Sequence, residues 1–299
     1  MQCKHCSGRC RDYGKNRSGT RRYQCVRCGR TQSEPRRSVG NMYLPFEKAC
    51  RTAELLVEGC SVRSAARLSG LPRCTVLSLV AKAGGACRLL LRDRIRNVDV
   101  DHLELDEIWG FVYKKQRRVT AKDPDTVGDA YVFIAIERTT RLIVAWHLGK
   151  RDLSHTARFI LAVRQATSAK RFQISTDGYP EYELAIEAGL SDRASYGRIV
   201  KVTNPGRVEP VFGNPDVSQI ETTYIERFNG TLRGWLRRFS RKTYAFSKDW
   251  DMLEAALALL FASYNFCKVH TTLRKTPAMA AGLADHPWSM DELLEKACS

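Results

Sequence analysis

The sequence predicts a multidomain α/β protein, in which two small basic modules precede a larger domain of alternating strands and helices. Three observations predict this organisation: two closely spaced cysteine pairs at the start of the chain, helix-type periodicity over residues 46–84, and strand-type alternation from about residue 99. A chain of 299 residues is long enough for several modules, each with its own core. We expect the modules to span residues 1–36, 45–97 and 98–268, followed by a tail of 269–299.

The first module is defined by cysteine spacing. Cys3 and Cys6 form one C-x-x-C pair, Cys25 and Cys28 form another, and eighteen residues separate the pairs. Each pair can form a tight turn that aims two sulfurs at one metal ion, so the spacing predicts a zinc ribbon with a four-thiolate structural Zn²⁺. The alternative is a set of unliganded thiols. Because no apolar segment follows a basic start, we expect a reducing, cytoplasmic and nucleoid-associated location, where metal ligation is favoured over disulfides.

The positive charge is concentrated at the front of the chain. Residues 1–98 contain 21 Lys and Arg against 6 Asp and Glu, a net +15 of the total +17. A phosphate backbone attracts such charge by counterion release, so we interpret it as a nucleic-acid-binding surface. The alternatives are an ordinary solvated surface and a basic helix on a membrane. Arginines that lie in loops as often as on one helical face argue against the membrane.

The second module reads as three helices after a linker. Residues 33–46 contain Pro35, Gly40 and Pro45 and predict the linker. One helix should end near Gly59, a second should run from about Ser61 to Leu68, and a third should start near Pro72. Gly70 can take the positive φ that follows a helix, as in a helix-turn-helix, although a plain three-helix bundle gives the same pattern. In the helix-turn-helix interpretation, the exposed start of the recognition helix carries Arg73, Thr75 and Ser78.

The third module predicts the order βββαβαβ followed by a helix. The strands are expected in HLELDEIWGFVY, in the two halves of DAYVFIAIERTTRLIVAWHLG, in RFQIST and in RIVKV. Ser154 is expected to cap a helix that runs to about Thr167, and another helix should end near Gly189. Residues 203–217 contain three prolines and two glycines, including Pro205, and predict a loop; a long basic helix should begin near Thr223.

Acidic residues occupy informative places in this module. Asp106 lies inside the first strand, and Asp177 lies at the carboxyl end of the fourth, where α/β sheets commonly place ligands. On the helix TYIERFNGTLRGWLRRFSRK, Glu226 lies off the apolar stripe, and Arg233 and Arg237 return to within about 20° of it. A carboxylate and two guanidinium groups on one helical face would suit a phosphate-binding cleft beside a metal ion. The alternative is an ordinary amphipathic helix whose basic side is solvated.

Two further acids flank the first of these residues. Strand alternation puts Glu107 on the face opposite to Asp106. We therefore interpret Glu104 and Glu107 as supporting or surface groups.

In order along the chain, these stretches resemble the DDE transposases of bacterial insertion sequences, most closely the insertion-sequence-one type. The matching stretches are LDEIW, STDGY, IERFNGTLR, RRFSRKTYAFSK and the closing SYNFCKVHTTLRKTPAMAAGL. The resemblance implies an RNase H-like catalytic core (βββαβαβα) in which Asp106, Asp177 and Glu226 bind two Mg²⁺ ions, with Mn²⁺ as an alternative ion. It also implies a basic position at Arg233. The interval from Asp177 to Glu226 is longer than in the compact retroviral-integrase pattern, which leaves Glu221 as a competitor for Glu226.

The function expected from this resemblance is cleavage at the terminal inverted repeats of an insertion sequence, followed by attack of the freed 3′-hydroxyl on target DNA. Besides Arg233, the basic residues expected to contact DNA in this region are Arg237, Arg238, Arg241 and Lys242. Two element ends must be held together, so at least a homodimer is expected. The alternatives are a DNA-binding regulator without catalysis and an RNase H-fold junction nuclease that cuts without joining.

Overall fold

A computed structural model describes residues 1–17, 20–34, 37–200 and 206–298. Pro35 of the predicted linker, Lys201 and Val202 of the predicted fifth strand, and Pro205 of the predicted loop lie outside the described residues. The chain begins with a small antiparallel sheet of β1 (Cys10–Lys15), β2 (Arg21–Cys25) and β3 (Thr31–Ser33). Its buried residues are Cys3, Cys10 and Cys25, with Cys6 and Tyr23 packed against them. This sheet therefore has almost no apolar core of its own.

Three helices follow, close to the predicted positions. They are α1 (Phe46–Val57), α2 (Val62–Ser69) and α3 (Arg73–Arg94). Ser61 caps α2 by accepting a hydrogen bond from the backbone N–H of Ser64, and Gly70 ends it at φ +64°, as its position predicted. By length and composition α3 could cross a membrane, but about 44% of its most apolar stretch is buried within the protein.

The larger sheet is mixed and has six strands in the order β6-β5-β4-β7-β8-β9. The strands are β4 (His102–Val112), β5 (Gly128–Glu137), β6 (Ile143–Gly149), β7 (Phe172–Asp177), β8 (Ala194–Val200) and β9 (Arg207–Phe212). The β4–β7 and β7–β8 pairs are parallel, and the other pairs are antiparallel. The predicted α/β class and the predicted strand order are therefore observed, with one strand added.

Helices cover both faces of this sheet. On one face, Phe133 of β5 packs against Phe159 of α4 (Leu153–Ala166) and Tyr182 of α5 (Pro180–Leu190). On the other face, Trp146 of β6 packs against Phe261 of α7 (Trp250–Phe266). The remaining helices are α6 (Thr223–Trp235), the short α8 (Pro277–Ala280) and α9 (Met290–Cys298). One continuous apolar core joins α1, α3, the sheet, α7 and α9.

Two predictions about this region were wrong. Residues 207–212 form β9 rather than loop, because they pair with β8 in an antiparallel ladder, and Pro210 is tolerated there because β9 is an edge strand. Asp152, not Ser154, caps α4 by accepting a hydrogen bond from the His155 N–H at 2.9 Å. The helix therefore begins two residues earlier than predicted, with Asp152 as its N-cap.

Candidate functional site

Two of the predicted acids meet at the end of two parallel strands. The register of β4 and β7 pairs His102 with Gln173 and Glu104 with Ser175. Continued by two residues, this register brings Asp106 beside Asp177, the last residue of β7. One carboxylate oxygen each from Asp106, Asp177 and Glu107 lie within 4.8 Å of one another. The sheet thus gathers three carboxylates at one edge.

Like charges and burial oppose ionisation of Asp106. Burial first, and then the charge of Asp177, raise the pKa of Asp106 from 3.8 to about 6. Two donors hold the carboxylate in place: the Glu107 N–H bonds Oδ1 at 2.8 Å, and Asn229 Nδ2 bonds Oδ2 at 2.8 Å. Such an arrangement favours a cation that would offset the repulsion.

Glu107 lies beside these two acids, which rules out the surface alternative, and its supporting role stays a prediction. Its side chain is 4% exposed, accepts a hydrogen bond from Arg151 Nε at 2.7 Å, and accepts another from the Tyr182 hydroxyl at 3.1 Å. Burial and the charge of Asp177 raise its pKa to about 7. The side chain of Glu107 leaves β4 on the face opposite to Asp106. Because β7 ends at Asp177, the Glu107 carboxylate can still reach the other two acids around the end of that strand.

Glu104 is fully buried and anchors α6, so it is not a surface group either. Its carboxylate accepts hydrogen bonds from the backbone N–H groups of Tyr224 and Ile225 at 2.8 and 3.0 Å and from Arg138 Nε at 3.0 Å. A negative charge at the N-terminal end of a helix satisfies free N–H groups and complements the helix dipole. Glu104 thereby fixes the helix that carries Glu226.

Glu226 lies on the first turn of α6 and is exposed. It accepts a hydrogen bond from Thr222 Oγ1 at 3.0 Å, and its charge adds to the rise in the pKa of Asp106. Its carboxylate is not part of the 4.8 Å cluster, whereas Asn229, three residues later, contacts Asp106 directly. The competitor Glu221 precedes α6 and pairs with Arg138 Nη2 at 3.2 Å, away from the cluster.

The basic residues after Glu226 do not all share one helix. Arg233 lies on α6, but the helix ends at Trp235 and a 3₁₀ turn spans Arg237–Phe239. The prediction that Arg237 shares the helical face of Glu226 was therefore wrong. The chain leaves the helix where Phe239 packs over Gly110 of β4, since a Cβ at Gly110 would lie 2.9 Å from the Phe239 ring.

The other predicted DNA contacts differ in exposure. Arg241 and Lys242 are exposed. Arg238 points inward, with Nη1 at 3.4 Å from both Ser247 Oγ and the Met252 carbonyl, and burial lowers its pKa. In the front helices, Arg73 and Ser78 are exposed at the start of α3, and Thr75 is half-buried.

The four predicted cysteines converge. Their sulfurs lie within 4.8 Å of one another, with 3.6 Å between Cys3 and Cys28 and 3.5 Å between Cys6 and Cys25. Tetrahedral Zn–S bonds of about 2.3 Å place sulfurs roughly 3.8 Å apart, so the four residues fit Zn²⁺. A backbone N–H from Cys28 lowers the pKa of Cys25 to about 6. The absence of a side chain at Gly8 leaves space for the cysteine sulfurs, since a Cβ there would lie 3.2 Å from Cys25 Sγ.

Sequence reasoning missed three residues around the carboxylates: Arg151, Tyr182 and Asn229. Asn229 could have been found, because it lies one helical turn after Glu226 and so shares its face. Arg151 and Tyr182 come from a loop and from α5, and no local pattern links them to Glu107.

Comparison with known proteins gives a distant similarity. No family model matches the chain. The chain is 28% identical over 149 residues to insertion element IS1 protein InsB of Shigella flexneri, covering 50% of this chain and 85% of that protein. It is 26% identical over 152 residues to insertion element IS1 4 protein InsB of Escherichia coli K12, covering 50% of this chain and 66% of that protein. The chain is therefore distantly similar to IS1 InsB proteins, as the sequence motifs indicated.

Proposed function

We propose that the chain is a transposase of the DDE type, with an RNase H-like catalytic domain, that cleaves the ends of an insertion sequence and joins them to target DNA. The observation that carries the proposal is the meeting of Asp106 and Asp177 at one sheet edge, beside the helix of Glu226, in a chain similar to insertion-element proteins.

The residues around the cluster fit Mg²⁺, or Mn²⁺ in its place. Mg²⁺ prefers hard oxygen ligands, and the cluster offers carboxylates and the buried Asn229 Oδ1, which has no hydrogen-bond partner among the described residues. Asp106, Asp177 and Glu226 would hold the ions, with Glu107 beside them. When bound, two ions supply the electrophile and the activated hydroxyl that an in-line attack on a phosphodiester requires.

The protein's own groups would orient this chemistry. Asn229 and the Glu107 N–H hold both oxygens of Asp106, and Arg151 holds Glu107. Arg233, Arg237, Arg241 and Lys242 would contact the DNA backbone, while Arg238 would support the segment from within.

The two N-terminal modules, residues 1–36 and 45–97, would bind DNA. A zinc ribbon over 1–36 and a helix-turn-helix over 45–97, with Arg73, Thr75 and Ser78 at the start of α3, would bind the terminal inverted repeats. The catalytic domain would span 98–268 and the tail 269–299, and two copies would hold paired ends.

The test is a strand-transfer assay with labelled DNA carrying the element's ends and Mg²⁺. Wild type is expected to give joined products, Asp106→Asn to bind DNA without cleavage, and the exposed Asp101→Asn to behave as wild type. Unchanged activities in Asp106→Asn would favour a DNA-binding regulator, and cleavage without joining in wild type would favour a junction nuclease.

A further inference from the structure

A second cavity lies away from the carboxylates. It has a volume of about 290 Å³ and lies between α6, the turn that joins β5 to β6, and the segment that follows α7. Tyr224, Thr231 and Trp235 line it from α6. At 100° per residue these positions point roughly 140–180° away from Glu226. The cavity therefore lies across α6 from the proposed metal site.

The lining of this cavity is cationic. Three cations, Arg141, Arg227 and Lys268, line it beside His270, and none of its lining residues is acidic. Among the described residues, Lys268 forms one long ion pair, with 3.9 Å between its Nζ and Glu58 Oε1. Arg141 and Arg227, which also line the cavity, form no ion pair with another residue in the described part of the chain. An anion would therefore meet uncompensated positive charge.

Two buried nitrogen atoms in the lining have no hydrogen-bond partner. Five buried side-chain polar atoms lack a partner in the described ranges, and two of them, Arg141 Nη1 and His270 Nδ1, belong to this cavity. A buried donor left unpaired costs about 1–3 kcal/mol, so such atoms are seldom retained without a ligand or water to bind. The three residues Arg141, Arg227 and His270 line the same cavity, where burial and the two positive charges lower the pKa of His270 and favour its neutral form.

The cations are held in place by aromatic rings. The Arg141 guanidinium lies 3.3 Å from the centroid of the Tyr224 ring, and Lys268 Nζ lies 4.1 Å from that of Trp235. Arg141 also has a left-handed backbone at φ +61°, which fixes its departure from the turn. Groups held in this way lose little conformational entropy when they bind.

We propose that this cavity is a phosphate-binding site, and that its ligand is a phosphodiester of a nucleic acid strand. A phosphate offers several acceptor oxygens to a planar guanidinium and to neighbouring donors. The cavity volume is near the lower end of ligand pockets, about 300 Å³, which suits one phosphate with part of its nucleotide. The site is separate from the proposed catalytic centre and does not depend on bound metal.

The experiment uses the full chain without added Mg²⁺ and a short single-stranded DNA that contains 5-iodouracil. After irradiation, crosslinks are expected in the peptides that carry Tyr224 or Trp235. Arg141→Ala should reduce these crosslinks by about tenfold, the effect of one lost charged hydrogen bond, without changing crosslinks to residues 1–98. Arg158→Ala removes an equal charge from the exposed surface of α4, on the other face of the sheet, and should change neither.

A second measurement distinguishes the source of the phosphate. Inorganic phosphate should raise the Tm of wild type and Arg158→Ala more than that of Arg141→Ala. If this protection depends on Arg141 but no crosslink forms in the α6 peptides, the ligand is free phosphate, and the nucleic-acid assignment is overturned. If folded Arg141→Ala keeps both responses, the whole proposal is overturned. The exposed Arg227→Ala gives the same comparison should Arg141→Ala fail to fold. Neither readout needs cleavage, so a negative result here leaves the proposed transposase activity untouched.

Discussion

At the scale of single residues, the carboxylate cluster lowers the stability of the folded protein at neutral pH. Asp106 has a folded pKa of about 6 against 3.8 in the unfolded chain, because it is buried beside Asp177. A folded pKa above the unfolded value means that the folded state holds the proton more tightly. Its contribution to stability is therefore present below about pH 4 and is lost as the pH rises through 6.

Asp106→Asn should accordingly stabilise the protein. In buffer without added Mg²⁺ we expect a gain of about 1–3 kcal/mol at pH 7.5 that disappears towards pH 4, measured by urea unfolding at several pH values. Mg²⁺ should raise the Tm of wild type and not of the variant. Asp101→Asn, which changes an exposed acid paired with Lys170, should have little effect at any pH. A variant less stable than wild type at pH 7.5 would argue against repulsion in the cluster.

The same scale shows which site residues a sequence can predict. The meeting of Asp106 and Asp177 was predictable, because parallel strands end on the same side of a sheet. The position of Glu107 beside them was not, because strand alternation describes the direction in which a side chain leaves the strand, and not where a long side chain ends. Arg151 and Tyr182 depend on packing between distant segments, which no local pattern encodes.

At the scale of elements, α6 depends on one buried acid. Glu104 accepts hydrogen bonds from two N–H groups at the start of α6 and from Arg138. Glu104→Ala leaves the two helix N–H groups and Arg138 Nε without an acceptor in a buried place, so we expect a loss of about 3–5 kcal/mol in urea unfolding. Glu104→Gln keeps one acceptor oxygen and should cost less.

Glu221→Gln provides the matched control for this prediction. It removes the other carboxylate that pairs with Arg138, but its side chain is 45% exposed. We expect a change within about 0.5 kcal/mol. Equal losses for Glu104→Ala and Glu221→Gln would show that the contact with Arg138, and not the anchoring of α6, carries the stability.

The packing of α3 on α7 gives a second prediction at this scale. A Cβ at Gly84 would lie 2.1 Å from the Ala255 carbonyl oxygen, whereas one at Gly85 meets nothing within 4 Å. Gly84→Ala should therefore destabilise the protein by about 1–3 kcal/mol or more through overpacking. Gly85→Ala should stabilise it by about 0.5–1 kcal/mol, because alanine loses less backbone entropy in a helix. The two changes are chemically identical and are measured by urea unfolding. A change in the free energy of unfolding with the same sign for both variants would contradict the close approach of Gly84 to Ala255.

Elements were predicted well where periodicity was strong and poorly where local composition was ambiguous. The short helices α1 and α2 and the strands β4 to β7 follow their apolar patterns. The segment 207–212 contains proline and glycine neighbours typical of loops, but the open edge of β8 provides a partner that only the assembled sheet offers. The end of α6 at Trp235 is likewise set by Phe239 packing on β4, a contact distant in sequence.

At the scale of the whole molecule, one core supports almost the entire chain. It runs from Val39 to Leu294 and joins the front helices to the sheet and to α9. Two smaller clusters of the described residues lie outside it. One contains Ala65, Ala66 and Val76 of α2 and α3, and the other belongs to the small sheet β1–β3, whose buried residues are three cysteines. Removal of a metal from this sheet should therefore affect it alone.

The four cysteines of this sheet should hold one metal ion. We expect one Zn²⁺ per chain by elemental analysis, and Cys25→Ser to lose it, because three thiolates no longer complete the tetrahedron. Without zinc, the β1–β3 sheet has too little apolar core to stay folded, so proteases should cleave within residues 1–34 and leave a resistant fragment that begins near residue 37. Cys74→Ser, which changes an exposed cysteine on α3, should keep both zinc and protection. DNA affinity should fall in Cys25→Ser while the Tm of the main body stays constant. Zinc retained at one equivalent in Cys25→Ser, or simultaneous unfolding of the whole chain, would contradict a structural metal confined to the front module.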